Sequence, residues 1–193
     1  MNSENSVTGI ACSIFRNEID FLIEKGKLSG TFTYVDSELH MNPQKLNQVL
    51  EELIRPDCLL CYGDCHSRIM QQQNEGLIQR INGLNCVEIF LGPETYRKLR
   101  KEGAFFLLPE WTIKWERIFK ELLGFKDQAI AIQFMNEMHT KLIFLNTGVH
   151  EIPLITLDAI SEYFSLPVEV IDIDLIHLEN AIKNGIKQFQ NES

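Results

Sequence analysis

Three cysteines carry the chemistry that this sequence could do. Cys12 ends a small apolar segment, residues 7–12. Cys65 follows Leu59-Leu60-Cys61-Tyr62-Gly63-Asp64, and Cys86 follows shortly after the Asn82-Gly83 turn. Each thiol stands where an apolar run gives way to a turn and a helix start. Thiolates are soft ligands, and three of them hold Zn²⁺ with a fourth position open, the layout of a reactive zinc site. Three cysteines also hold a cubane iron–sulfur cluster with one iron left to substrate. The closely spaced cysteine run of ferredoxins is absent, which ranks zinc ahead. His66, one residue past Cys65, is the natural fourth ligand; the alternative is an exposed residue in a first helical turn. His150, in Thr147-Gly148-Val149-His150-Glu151, is a further candidate for the same rim.

Each thiol also has a packing reading, because free cysteine is a small apolar side chain that fills gaps in cores. Cys58 and Cys61 resemble a C-x-x-C metal motif. In a strand, however, residues three apart point to opposite faces. That pair therefore reads as core.

The elements that position the thiols follow from periodicity and punctuation. Residues 7–12 read as a strand, and Phe15, Ile19, Leu22 and Ile23 have helical spacing closed by Gly26. Thr31-Phe32-Thr33-Tyr34-Val35 is β-branched and aromatic, a second strand. Asn42-Pro43 caps and opens a helix as far as Ile54. Residues 57–62 make the third strand, and a short helix after Cys65 reaches about Asn74. Residues 76–81 are preferred for the fourth strand over 87–91, because Asn82-Gly83 supplies the turn and Cys86 then opens a helix. Beyond Gly92-Pro93 a helix runs through Tyr96 and Leu99, followed by an apolar run, Phe105-Phe106-Leu107-Leu108, to which no element is assigned. Residues 113–123 and 129–138 read as helices separated at Gly124, and 141–145 as a fifth strand. A helix over 154–164, a strand over 168–173 and a helix over 175–189 complete the chain.

Alternating strands and helices predict an α/β fold, an open, mostly parallel doubly wound sheet of at least five strands with helices on both faces. The length and the lack of a Pro/Gly/Ser linker predict a single domain over residues 1–193. Ligands in such sheets bind beyond the carboxyl ends of the strands. With strand order 2-1-3-4, the ends of strands one, three and four are adjacent, and Cys12, Cys65 and Cys86 converge on one crevice. Cys65 and Cys86 would also lie at helix starts, where the dipole favours thiolate.

Composition excludes several classes. The net charge of −9 opposes nucleic-acid binding, which needs clustered Lys and Arg. The basic stretch Arg97-Lys98-Leu99-Arg100-Lys101 reads as a solvated helix face. No apolar run approaches the roughly 20 residues of a membrane span. With no secretory signal visible, the five cysteines predict a reducing, cytoplasmic setting with free thiols. Neither G-x-G-x-x-G nor a P-loop occurs, and no G-x-S-x-G elbow. Trp111 and Trp115 fall on one helix face as core anchors, and His139 and His177 read as structural.

The sequence resembles the uncharacterised family grouped as domain of unknown function 1638, of methanogenic archaea and anaerobic bacteria. The resemblance rests on Ala11-Cys12, Tyr62-Gly63-Asp64-Cys65, Asn85-Cys86 leading to Leu91-Gly92, Pro109-Glu110-Trp111 and Asn146-Thr147-Gly148. It departs from that pattern at Ser13 and His66, where Gly is usual. The resemblance implies an association with corrinoid-dependent methyl transfer and names no reaction. Two functions are therefore expected as alternatives. One is a metal-binding protein, with Cys12, Cys65, Cys86 and His66 as ligands, that handles a small thiol or methyl-group substrate or serves a corrinoid methyltransferase partner. The other is a non-catalytic accessory protein that binds or delivers a metal or iron–sulfur cluster to a larger partner.

Overall fold

The computed structural model describes residues 7–191 apart from Asp57, His66 and Leu77. The first strand, β1 (Val7–Cys12), lies between β2 (Gly30–Val35) and β3 (Cys58–Cys61), and β4 (Gln79–Arg80) lies beyond β3. All pairings are parallel, in the expected order β2-β1-β3-β4. Parallel neighbours need crossovers. These are supplied by α1 (Arg16–Glu24), α2 (Pro43–Leu53) and α3 (Ser67–Asn74). The start of α2 follows from its sequence: the Asn42 side chain accepts from the Lys45 N–H at 3.1 Å, and Pro43 takes the first position.

All four residues of β3 are buried, as befits a strand covered on both faces. On one face Ile10, Val35, Leu46, Leu50, Leu60 and Ile69 form a core. On the other lies the last helix of the chain, α9 (Ile176–Asn191). Two residues of the C-x-x-C, Cys58 and Cys61, are both buried, as the strand reading requires.

The chain divides into two compact units, Met1–Phe90 with Leu175–Ser193, and Leu91–Asp174. After α4 (Cys86–Leu91) and α5 (Pro93–Lys101), the second unit builds its own parallel sheet, β5 (Ala104–Leu107), β6 (Lys141–Asn146) and β7 (Val168–Asp172), in that order. Its helices are α6 (Pro109–Ile113), a π-helical segment at Glu116–Leu122, α7 (Gln128–Met138) and α8 (Leu154–Phe164). The chain closes with α9 (Ile176–Asn191), which packs on β3 and β4 of the first unit. Gly185 is the point of approach, since a Cβ there would stand 2.8 Å from Leu59 Cδ1.

The α/β class with parallel strands and flanking helices is as expected, but the strands form two sheets rather than one of at least five. The physical reason lies in Phe105-Phe106-Leu107, which belongs to a strand. It pairs with β6 over four positions and closes a separate core of Leu107, Phe119, Met135, Leu142, Phe144 and Phe164. By contrast, β4 is only two residues long and extends the first ladder little. The helix expected at 113–123 starts earlier, at Pro109, whose fixed φ suits a first helical position. Trp111 and Trp115 pack against the second core. No residue of α5 is buried, so its basic stretch is a solvated face. Among the described residues no helix is long and apolar enough to cross a membrane.

The burial of Cys61 sets a pH dependence. It is 0 % exposed, and desolvation pushes its thiol up from an ordinary 9.0 to about 12. In the unfolded chain that thiol ionises near 9, while in the folded chain it stays protonated. Its contribution is therefore intact below pH 9 and is lost as pH rises from 9 toward about 12. Chemical denaturation across that window should show wild-type stability falling more steeply than that of Cys61→Val, with only a modest difference, on the order of 1 kcal/mol, at pH 7.

Candidate functional site

The site is assembled at the carboxyl edge of the first sheet, where the ends of β1, β3 and β4 lie side by side. Cys12 is the last residue of β1. Ala11 pairs with Cys61 in the parallel ladder, so one step further Cys12 and Tyr62 stand abreast. Strand alternation puts Ile10 and Cys12 on the same face as Cys58, Leu60 and Tyr62. The packing agrees, since Cys12 and Cys65 both lie against the core cluster that contains Leu60 and Tyr62. All three candidate thiols, Cys12, Cys65 and Cys86, are half-buried.

Backbone geometry carries Cys65 towards Cys86. Gly63 approaches the Leu84-Asn85 segment so closely that a Cβ would stand 2.5 Å from Asn85 Cα and 2.9 Å from Leu84 O. The next residue's N–H, from Asp64, donates to Leu84 O at 2.7 Å. Cys86 begins α4 immediately afterwards. That start is held by a reciprocal cap: Asn85 Oδ1 accepts from Glu88 N–H at 2.9 Å, and Glu88 Oε1 accepts from Leu84 N–H at 3.1 Å. This is a variant of the capping box, and Asn85-Cys86-Val87-Glu88 is its readable signature.

A buried arginine locks the loops together. Arg80, 7 % exposed, places Nη2 2.6 Å from Asp64 Oδ1. Its Nη1 donates to Tyr62 O at 3.0 Å and to Gly83 O at 3.3 Å, and its Nε donates to Gln73 Oε1 at 2.9 Å. One side chain at the end of β4 thus holds both the loop that carries Cys65 and the turn that precedes Cys86. On the opposite side of β1, the Ser37 N–H donates to Ser13 Oγ at 2.9 Å and ties the ends of β1 and β2.

Burial dominates the electrostatics of the thiols. Although Cys86 as a residue is only half-buried, desolvation, and after it the neighbouring Cys65, push its thiol up to about 12. Backbone hydrogen bonds at the start of α4 pull the other way without prevailing. The Cys65 thiol is also raised by burial, against a backbone hydrogen bond from Gly63 and the Arg80 charge. The thiolate expected from the helix dipole is therefore outweighed in the free protein. These groups are thiols at neutral pH, and a bound cation would have to displace their protons.

Cys65 is the common member of the set. It shares a core face with Cys12 and an electrostatic coupling with Cys86. Among the described residues, no three His, Cys, Asp or Glu side chains stand posed as a finished metal cage. His66 lies outside the described residues. His150 is exposed and belongs to the second unit, where it lines a small pocket with Pro109, Asn146 and Thr147.

Two residues of the site had no sequence signal of their own. Arg80 reads as an ordinary charge on a short strand, and its burial depends on partners three to eighteen positions away. The other is Tyr62. Its ring is 2 % exposed, and its hydroxyl is buried with no hydrogen-bond partner among the described residues.

The family model described as a protein of unknown function, DUF1638, matches residues 34–182 of the chain. No curated protein matches. No solved structure matches either.

The loop geometry makes two expectations. Gly63→Ala drives a methyl into the Leu84-Asn85 backbone, and its stability should fall by about 2 kcal/mol, as overpacking does, read as a lower urea midpoint with an unchanged slope. Arg80→Met leaves the Asp64 carboxylate without its cation, and the loss should be about 3 kcal/mol. In an Arg80→Met, Asp64→Asn double variant, part of that loss should return.

Proposed function

This chain belongs to the DUF1638 family of proteins of unknown function, and we propose that it binds a metal ion through Cys12, Cys65 and Cys86. Zinc is the preferred ion, with an iron–sulfur cluster as the alternative. The site would serve a small thiol or methyl-group substrate, delivered freely or by a corrinoid methyltransferase partner. A zinc ion on three thiolates with one open position binds and activates a substrate thiol. The observation that carries the proposal is the adjacency of the ends of β1, β3 and β4, each followed or ended by one of the three thiols.

The donor set fits that role. The half-buried thiols are soft, and a cation would supply the positive charge that their desolvated thiolates lack. The buried hydroxyl of Tyr62, with Cys12 and Cys65 among its electrostatic neighbours, has no hydrogen-bond partner among the described residues. His66, adjacent to Cys65 in sequence, would be the fourth protein ligand if the site is closed to substrate. In that closed form the protein would act as a carrier that holds or delivers metal rather than as a catalyst. Its acidic balance, a net charge of −9, favours accumulation of cations near the surface.

Metal analysis and absorption spectra of protein purified without oxygen test the proposal directly. Wild type should carry close to one zinc, or show the broad visible absorption of a cluster. Cys12→Ala, Cys65→Ala and Cys86→Ala should each lower that content, and binding should release protons. Cys58→Ala and Cys61→Ala should retain it. Full metal content in all three site variants would refute this assignment of ligands.

A further inference from the structure

Packing does not explain the hydroxyl of Tyr62, which is buried with no hydrogen-bond partner among the described residues. A buried hydroxyl without a partner costs about 1–3 kcal/mol, and buried polar groups in folded proteins nearly always have partners. Phenylalanine would fill the same space among Ile10, Val35, Leu46 and Leu60 without that cost. The position is also well fixed. The Tyr62 carbonyl accepts from buried Arg80 at 3.0 Å, and the residue follows directly on Cys61, whose ladder partner Ala11 directly precedes Cys12. Cys65 follows three residues later and packs on the same cluster.

We propose that the Tyr62 hydroxyl is the hydrogen-bond donor of a ligand subsite beside Cys12 and Cys65, and that its acceptor is the sulfur of a bound small thiol. The proposal rests on the thiol-handling reading above and adds the residue that would orient the substrate. Cys12 and Cys65 are among its electrostatic neighbours. A phenol is neutral at neutral pH and able to donate. Asp36, another of those neighbours, disfavours a carboxylate ligand at the same place. A soft sulfur suits both the apolar wall and the cysteine sulfurs. Donation to that sulfur is specific in a way that packing alone is not, because a site built around a donor discriminates against ligands that leave it unpaired.

Tyr62→Phe tests this with two readouts. The first is the thermal midpoint of the metal-free protein. An unpartnered hydroxyl predicts a midpoint equal to or above that of wild type, whereas a marked fall would reveal a partner within the protein and overturn the proposal. The second is calorimetric titration with 2-mercaptoethanol, run on metal-free and zinc-loaded protein. Whichever form binds the thiol, the variant should bind it more weakly, on the order of tenfold, with unchanged zinc content. Equal affinity in wild type and variant, or no thiol binding by either form of wild type, would overturn it. Failure of wild type to take up zinc sinks the metal reading alone, since the metal-free titration still judges Tyr62.

Discussion

A guanidinium taken out of water is costly unless it is paired, and Arg80 is ion-paired with Asp64 and donates to the carbonyls of Tyr62 and Gly83 and to Gln73. Those partners belong to three separate segments: the loop after β3, the turn after β4, and α3. Their relative positions are fixed by the demand that one buried charge be satisfied. The Gly63 approach and the Asp64-to-Leu84 hydrogen bond add to the same junction. The rim that carries Cys65 and Cys86 is consequently set by a charged network, while Cys12 is set by the sheet ladder itself. A site made of two mechanically different parts is well suited to hold a shared ligand, because the ladder gives a rigid wall against which the loops are locked.

The thiols show how burial and helix geometry compete. The start of α4 offers backbone N–H groups to Cys86, yet the helix is six residues long and the thiol is desolvated. Desolvation wins, and the same holds for Cys65 even with Arg80 at hand. Nucleophilic or redox use of a cysteine needs an accessible thiolate at neutral pH. With the Cys65 and Cys86 thiols raised, the site is poorly prepared for either. A metal cation reverses the balance because its own charge exceeds any dipole nearby, so the electrostatics that weaken the redox reading leave the metal reading intact.

Much of the first sheet was legible in the sequence. The β-branched run at Thr31-Phe32-Thr33-Tyr34-Val35, the Asn42-Pro43 helix start and the Asn82-Gly83 turn each carry a local mechanism, and the observed elements follow them. The strand period also marked Cys58 and Cys61 as core, and both are buried. The second sheet was not legible, because Phe105-Phe106-Leu107-Leu108 is apolar at every position and too short for its period to be read. Its identity as a strand depends on β6, more than thirty residues later. The roles of Arg80 and Tyr62 were hidden for a related reason. A residue type announces what it can bond to, but whether it is buried and whether it is paired are properties of its neighbours in space.

Tyr62 also bears on whether the site turns over substrate or only holds metal. A carrier gains from a closed coordination sphere, and each polar group around it is then best satisfied within the protein, as outer partners of metal ligands usually are. A site that accepts substrate must instead keep a donor uncommitted until the substrate arrives, at a standing cost in stability. Arg80, with four partners, has the first character. Tyr62, buried to 2 % with an unpartnered hydroxyl among the described residues, has the second. The two lie in one network, joined through the Tyr62 carbonyl. The backbone of Tyr62 is thus clamped while its hydroxyl has no partner among the described residues, the arrangement that the proposed substrate subsite requires and a store of metal would not.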